Sequence, residues 1–554
     1  MAGIGFMEQI YQGRFDRDLF AAALPTTEAG QVARLIDAYK TLVNEYPPSS
    51  IEEAGRIPPE MLKKMGEQGF FGLTVPKAYG GMGLGLADCM RIVETVAPID
   101  LSIALVFLAH LFIGIKGIEL YGTEDQKRRY LTPAASGEMI FSYALTEPLT
   151  GSDARHIETR ADLSPDGSHY VLNGTKTYIT NANYAGGLTV FAQMNPEKPG
   201  QMGAFIVETA WEGVQIGPDM PKMGLKASST ATIRLKDVRV PRENLLGPAG
   251  DGFKIALTVL HYGRMGLGAA SKGVLEQSAR DMYDRATSRR QFGQPIIQFP
   301  LIREKIGKAR VHAFVMGAMN DLAAVLLEKH PEETVIETSH CKLFGTTRAW
   351  DALYDALQVS GGAGYLATQP YENRMRDFRV TTIFEGTTEI HSIYPALLGM
   401  KQLGGEIKKR AGFFRYLFLG KTLLTWLWNT GWPGSPPDPV QKRAFRMAGA
   451  LSRMIRVRLL LGVLVYGKTL VDREFLLRRI TALSLYLFGI LSVLSKLERD
   501  RRAGLDDPVD RERLSWFLEE AEAARKEHKR LLDSRREKGL NNPDLLSPEK
   551  RLGA

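Results

Sequence analysis

The chain has 554 residues, of which 44% are apolar and 24% charged; this ordinary globular composition excludes disorder over most of its length and predicts about two to four domains. Its two cysteines, Cys89 and Cys341, match no metal or redox spacing, which argues against a disulfide framework and leaves no metal site to predict. The net charge of +9 is uneven: residues 401–554 hold 31 Lys/Arg against 18 Asp/Glu, and residues 1–400 hold 40 against 44, so an anionic partner such as a membrane surface is expected only at the C-terminal region.

Near the start, Glu8, Asp16 and Asp18 interrupt any apolar run, which argues against a secretory or transit signal. Residues 28–47 and 58–69 have helical periodicity. The uncharged run from Leu101 to Ile115 is too short to span a membrane and reads as a buried helix. Gly114 and Gly117 follow each other at helical spacing, so either a neighbour packs closely there or the space belongs to a ligand.

From about 140 to 245 the texture changes to short strands, with Tyr170-Val171-Leu172, an Asn173-Gly174 turn, Lys176 to Thr180, and an alternating Thr230 to Leu235. A small barrel or sandwich is the expected form. Helical texture returns at 265–287, 301–328 and 334–358. Segment 429–440 is a linker by its Pro and Gly content, and 441–534 reads as a further helical bundle in which Ile480 to Ser495 is a buried helix. Helices, then strands, then helices predict an α+β chain with segregated domains. The expected division is an N-terminal helical domain (1–139), a central β-barrel (140–245), a helical bundle (246–403), a docking segment with linker (404–440) and an additional C-terminal helical domain (441–554). The chain has neither a Gly-rich dinucleotide fingerprint nor a P-loop.

Four blocks carry the chemistry: Ala144-Leu145-Thr146-Glu147-Pro148-Leu149-Thr150-Gly151-Ser152-Asp153, then Asn173 to Asn181, then Arg289-Arg290-Gln291-Phe292-Gly293, then Gln358 to Ile390, which includes Gly361-Gly362 and Phe384-Glu385-Gly386-Thr387. In this order they resemble the acyl-CoA dehydrogenase family. The resemblance implies FAD as cofactor, held by Tyr143, Ala144, Leu145, Thr146, Ser152, Tyr178, Ile179, Thr180, Arg289, Phe292, Gln358, Gly361, Gly362, Thr387 and Glu389. Arg289, Phe292, Gln358, Gly361 and Gly362 match positions that reach FAD across a subunit interface, which implies a homodimer.

Glu385 is the implied base, removing the α-proton of an acyl-CoA thioester whose oxygen is held by the Glu385 backbone N–H. Some family members place the base on an earlier helix; the matching stretch here is Leu260-His261-Tyr262-Gly263-Arg264, without a carboxylate. His261, Arg264, Ser152 and Gly386 are the implied substrate contacts, with Gly114 and Gly117 resembling a glycine pair at the base of a long acyl pocket. Tyr178 departs from the pattern, standing where a tryptophan is frequent.

A C-terminal extension resembles that of the long-chain and very-long-chain branch, with Lys468 to Arg479 as its clearest match. Lys408 to Trp428 has five basic residues, no acidic one and an apolar face, the pattern of an interfacial helix on an anionic bilayer. The expected protein is therefore a peripheral-membrane enzyme of fatty-acid β-oxidation, at the bacterial inner membrane or on the matrix side of the mitochondrial one. It would pass electrons to an electron-transfer flavoprotein. An acyl-CoA oxidase, or a scaffold that kept the fold, are the alternatives. The basic tail matches no nucleic-acid motif.

Overall fold

A computed structural model describes residues 5–22, 28–195, 197–198, 201–408 and 438–530, with residues 537 and 539. The expected interfacial segment past Lys408 and the linker up to 437 lie outside the described residues. The chain forms two compact units: a larger one of Leu24–Glu332 and Phe344–Thr387, and a smaller one of Met1–Ala23, Glu333–Leu343 and Thr388–Ala554.

The larger unit holds the strands. They are β1 (Ile140–Ala144), β2 (Arg160–Leu163), β3 (His169–Thr180), β4 (Ala185–Gln193), β5 (Met202–Glu208), β6 (Val214–Ile216), β7 (Thr230–Pro241) and β8 (Leu245–Leu246). They make one mixed sheet of order β6-β7-β3-β2-β4-β5-β8, with β1 parallel to β4. The period-two pattern decides which face is buried. Ala231, Ile233 and Leu235 of β7 face a core with Leu172, Val190 and Phe205, while Arg234 and Lys236 point to water.

Asn173-Gly174 is not the expected hairpin turn. β3 runs straight through it, with irregular pairing to β7 between Leu172 and Gly174. Asn173 instead bonds across to Asp237, accepting from its N–H at 2.8 Å, and a side chain at Gly174 would strike Thr159. The dipeptide here marks a bulge and a close approach. β3 is irregular again between Lys176 and Ile179, where Tyr178 takes a left-handed φ of 57°.

Helices surround this sheet in the larger unit. Asp100 caps Leu101–Ala109 by accepting from Ile103 N–H at 2.8 Å. The expected buried helix then widens into a π-turn over His110–Gly114. Gly252–Ser288 is the longest helix and packs against Leu86–Val96 and Pro300–Lys329. A Cβ at Gly273 would stand 1.9 Å from the Glu94 carbonyl oxygen, so glycine is required for that close approach.

In the smaller unit, Pro439–Tyr466, Glu474–Arg502 and Pro508–Glu527 pack on one another, and the first two also pack on Thr388–Lys408. Three helical stretches among the described residues are long and apolar enough to cross a membrane: Leu101–Tyr121, Pro300–Lys329 and Glu474–Arg502. Their apolar windows are 94%, 78% and 83% buried within the protein, which fits core helices, as expected for Ile480 to Ser495.

Candidate active site

The chemistry gathers where the Gly252–Ser288 helix passes the loop before Thr388. Ahead of that loop, Ile383 N–H donates to the Val380 carbonyl at 2.8 Å and closes a tight turn. Glu385 and Gly386 then both take left-handed conformations, with φ of 57° and 95°. Glycine adopts this readily; a glutamate held there stores about 1 kcal/mol or more. The result aims the Glu385 carboxylate at the helix. A Cβ on Gly263 would lie 2.8 Å from Glu385 Oε1 and 2.9 Å from Oε2, so the carboxylate rests on the bare backbone of Gly263. The position that carries no acid in the sequence is the floor beneath the acid supplied by the loop.

Around this carboxylate stand the expected partners. Tyr143, on β1, donates its hydroxyl to the Ala256 carbonyl at 3.1 Å. Burial pushes that hydroxyl well above its ordinary range, the charge of Glu385 pushes it further, and Arg264 opposes. Arg264 is buried, its Nη1 3.3 Å from His261 Nδ1. Burial first, and then the Arg264 charge, hold the His261 imidazole well below its ordinary range, so the ring is neutral. Glu385, Tyr143, His261 and Arg264 therefore share one electrostatic environment.

The first two blocks meet at the strand ends. Thr177 N–H donates to the Thr146 carbonyl at 2.9 Å, which brings Leu145 and Thr146 alongside Tyr178, Ile179 and Thr180. Ser152 is exposed beyond the tight turn in which Glu147 and Thr150 exchange backbone bonds. Arg289 and Phe292 lie at a small hairpin of Arg290–Gln291 and Gln294–Pro295 that follows the long helix. Gln358 sits near the end of Val335–Ser360, and Gly361 and Gly362 open the next turn. Arg285 Nη2 donates to the Ser360 carbonyl at 3.4 Å and ties the hairpin's helix to the glycine turn.

These surfaces fit FAD. Tyr178 is 67% exposed and offers an aromatic face at the strand end. Gly361 and Gly362 have nothing within 4 Å of where a Cβ would stand, leaving the backbone approachable by a diphosphate. Phe292 is 92% exposed, a position that a cofactor or second subunit would cover.

A Cβ at Gly114 would lie 2.8 Å from the Phe141 carbonyl oxygen, and one at Gly117 would lie 3.0 Å from Leu246 Cδ2, so close packing accounts for both glycines. Thr387 closes the larger unit, whereas Glu389 belongs to the smaller one. Glu147 and Lys176, which no motif singles out, form a buried ion pair at 2.6 Å. The available signal was a lysine flanked by Thr175 and Thr177 within a strand that feeds an apolar core, where lysine is rarely buried unless paired.

Three family models match in chain order: the N-terminal domain of acyl-CoA dehydrogenase over residues 35–138, its middle domain over 142–238 and its C-terminal domain over 250–394. The mitochondrial very long-chain specific acyl-CoA dehydrogenase of Bos taurus is 34% identical over 494 residues, covering 84% of this chain and 74% of that protein. A crystal structure of an acyl-CoA dehydrogenase complexed with FAD from Bacillus anthracis matches with a TM-score of 0.79 at 27% identity, over 95% of this chain and 94% of that one. Butyryl-CoA dehydrogenase from Megasphaera elsdenii matches with a TM-score of 0.63 at 29% identity, covering 68% of this chain and all of its own.

Proposed function

The chain belongs to the acyl-CoA dehydrogenase family, and from that premise we propose that it dehydrogenates long-chain acyl-CoA thioesters to trans-2-enoyl-CoA and passes the electrons to an electron-transfer flavoprotein. The observation that carries this reading is the Glu385 carboxylate seated on Gly263 beside Tyr143 and Arg264. The family is FAD-dependent, and FAD when bound accepts the hydride that leaves the substrate β-carbon. The protein's own part is the proton. Glu385 takes it from the α-carbon as a general base that the turn and the bare backbone of Gly263 hold in place. The Glu385 backbone N–H polarises the thioester oxygen, and the buried Arg264 charge acts on Tyr143 together with that of Glu385. Neutral His261 holds the Arg264 guanidinium through Nδ1.

Long acyl chains are favoured by similarity to very long-chain specific enzymes and by the extension, which the Bacillus anthracis structure shares and the butyryl-CoA enzyme's match does not reach. The homodimer rests on exposed Phe292 and on the open Gly361-Gly362 turn. Membrane association, at a bacterial inner membrane or the mitochondrial matrix face, rests on the sequence of 408–428. Anaerobic titration with acyl-CoAs of increasing length tests the substrate. Palmitoyl-CoA is expected to bleach the visible flavin band faster than butyryl-CoA; the reverse order would overturn the chain-length assignment.

A further inference from the structure

Glu147 and Lys176 are separated by 29 residues in sequence, and the sheet brings them into contact. Both side chains are almost wholly inaccessible to water. Lys176 Nζ donates to Glu147 Oε1 at 2.6 Å and to the Leu145 carbonyl at 3.1 Å. Glu147 also accepts from the backbone N–H groups of Thr159, at 3.0 Å, and Glu158. Burial works to raise the Glu147 pKa, but Lys176 and the donors from Thr159 and Glu158 outweigh it and hold the carboxyl below its ordinary range, so it is ionised.

Such a pair is a poor way to gain stability alone, because both ions lose hydration and an apolar pair of similar volume often does as well. An apolar pair could not bind three backbone groups. Leu145 directly precedes Thr146, and Lys176 stands two residues before Tyr178. Between these points, Thr177 N–H already donates to the Thr146 carbonyl. The ions therefore sit behind the place where the loop after β1 meets the end of β3, the two segments that face FAD on the reading above.

We propose that Glu147 and Lys176 are positioning residues for the flavin: the buried ion pair fixes the spacing and orientation of the 145–150 loop against the end of β3, so that the FAD-facing edges are already formed before FAD binds. This inference rests on the proposed role of the two blocks in holding FAD. It assigns neither residue a part in the chemistry, and its consequences appear in cofactor affinity and in the apoprotein.

The test uses the full-length chain with FAD removed and then restored. Glu147→Gln keeps the shape and an acceptor for the 158–159 backbone but removes the charge, whereas Lys176→Met removes all the lysine donors. FAD affinity is expected to fall about tenfold in Lys176→Met and severalfold in Glu147→Gln, as when supporting hydrogen bonds behind a binding shell are lost. The visible circular dichroism of bound FAD should change in both. In the apoprotein, amide exchange should speed up in 145–159 and not in the 252–288 helix. Glu147→Gln carries the test if Lys176→Met gives no folded protein. Wild-type affinity, dichroism and exchange in Glu147→Gln would overturn the inference. Failure of the wild-type chain itself to bind FAD would instead overturn the functional reading on which it rests.

Discussion

The larger and smaller units differ in where the backbone is strained. In the larger unit, six non-glycine residues have left-handed φ angles: Tyr178, Asn181, Leu225, Asp237, Phe292 and Glu385. Among the described residues the smaller unit has none. Three of its buried polar contacts have ordinary geometry: Tyr11 donates to Ser484 Oγ at 2.6 Å, His340 Nε2 lies 2.8 Å from the same oxygen, and Ser339 Oγ lies 2.6 Å from His391 Nδ1. Strain of this kind persists where surrounding structure enforces it for a purpose. On the proposed role of Glu385, the acid–base chemistry belongs to the larger unit, and the polar contacts of the smaller one serve packing.

Acid is the point at which the two units should behave alike, and it has the largest expected effect on stability. Burial lowers His110 in the larger unit to about 4 and His340 in the smaller to about 3. His110 stays neutral in the fold, its Nδ1 accepting from Phe141 N–H at 2.9 Å. The unfolded chain protonates these rings near the ordinary histidine pKa of about 6.5 and so binds more protons than the folded chain below it; stability therefore falls as pH drops from about 6.5 towards 4. Urea unfolding at pH 7 and pH 5 should show His110→Asn losing about 2 kcal/mol less than wild type over that interval. An unchanged difference would mean that His110 does not govern this window.

Gly263→Ala sharpens the contrast. Its Cβ would displace the Glu385 carboxylate, so kcat should fall about tenfold while helix propensity keeps the melting temperature at or above wild type. Unchanged kcat would show that the contact does not set the base. Tyr11→Phe has the smallest effect: losing one buried hydrogen bond should cost about 1 kcal/mol of stability and leave kcat unchanged. A kcat loss there would break the division of roles.

The sequence made much of the site legible because its residues lie in short contiguous blocks, each carrying its own turn or strand chemistry. Glu385 was visible in Phe384-Glu385-Gly386-Thr387, and the paired left-handed conformations supply the physical reason for the adjacent glycine. What stayed hidden depended on pairing between distant segments. Asn173-Gly174 has hairpin composition, yet β3 continues because β2 and β7 pair on either side of it. Gly114 and Gly117 could have lined a pocket, and only the approach of Phe141 and Leu246 shows what their missing side chains accommodate. Glu147 and Lys176 each lie inside one of the sequence blocks, but their partnership is a product of the sheet. The grouping of Met1–Ala23 with Thr388–Ala554 in one compact unit likewise depends on contacts between segments far apart in sequence.

Glu385→Gln, mixed anaerobically with palmitoyl-CoA, tests the account most directly. The wild-type flavin should bleach, whereas the variant, with FAD bound, should bleach about a thousandfold more slowly because the α-proton has no base to receive it. Bleaching of the variant at the wild-type rate would contradict the assignment of Glu385 and, with it, the concentration of the chemistry in the larger unit.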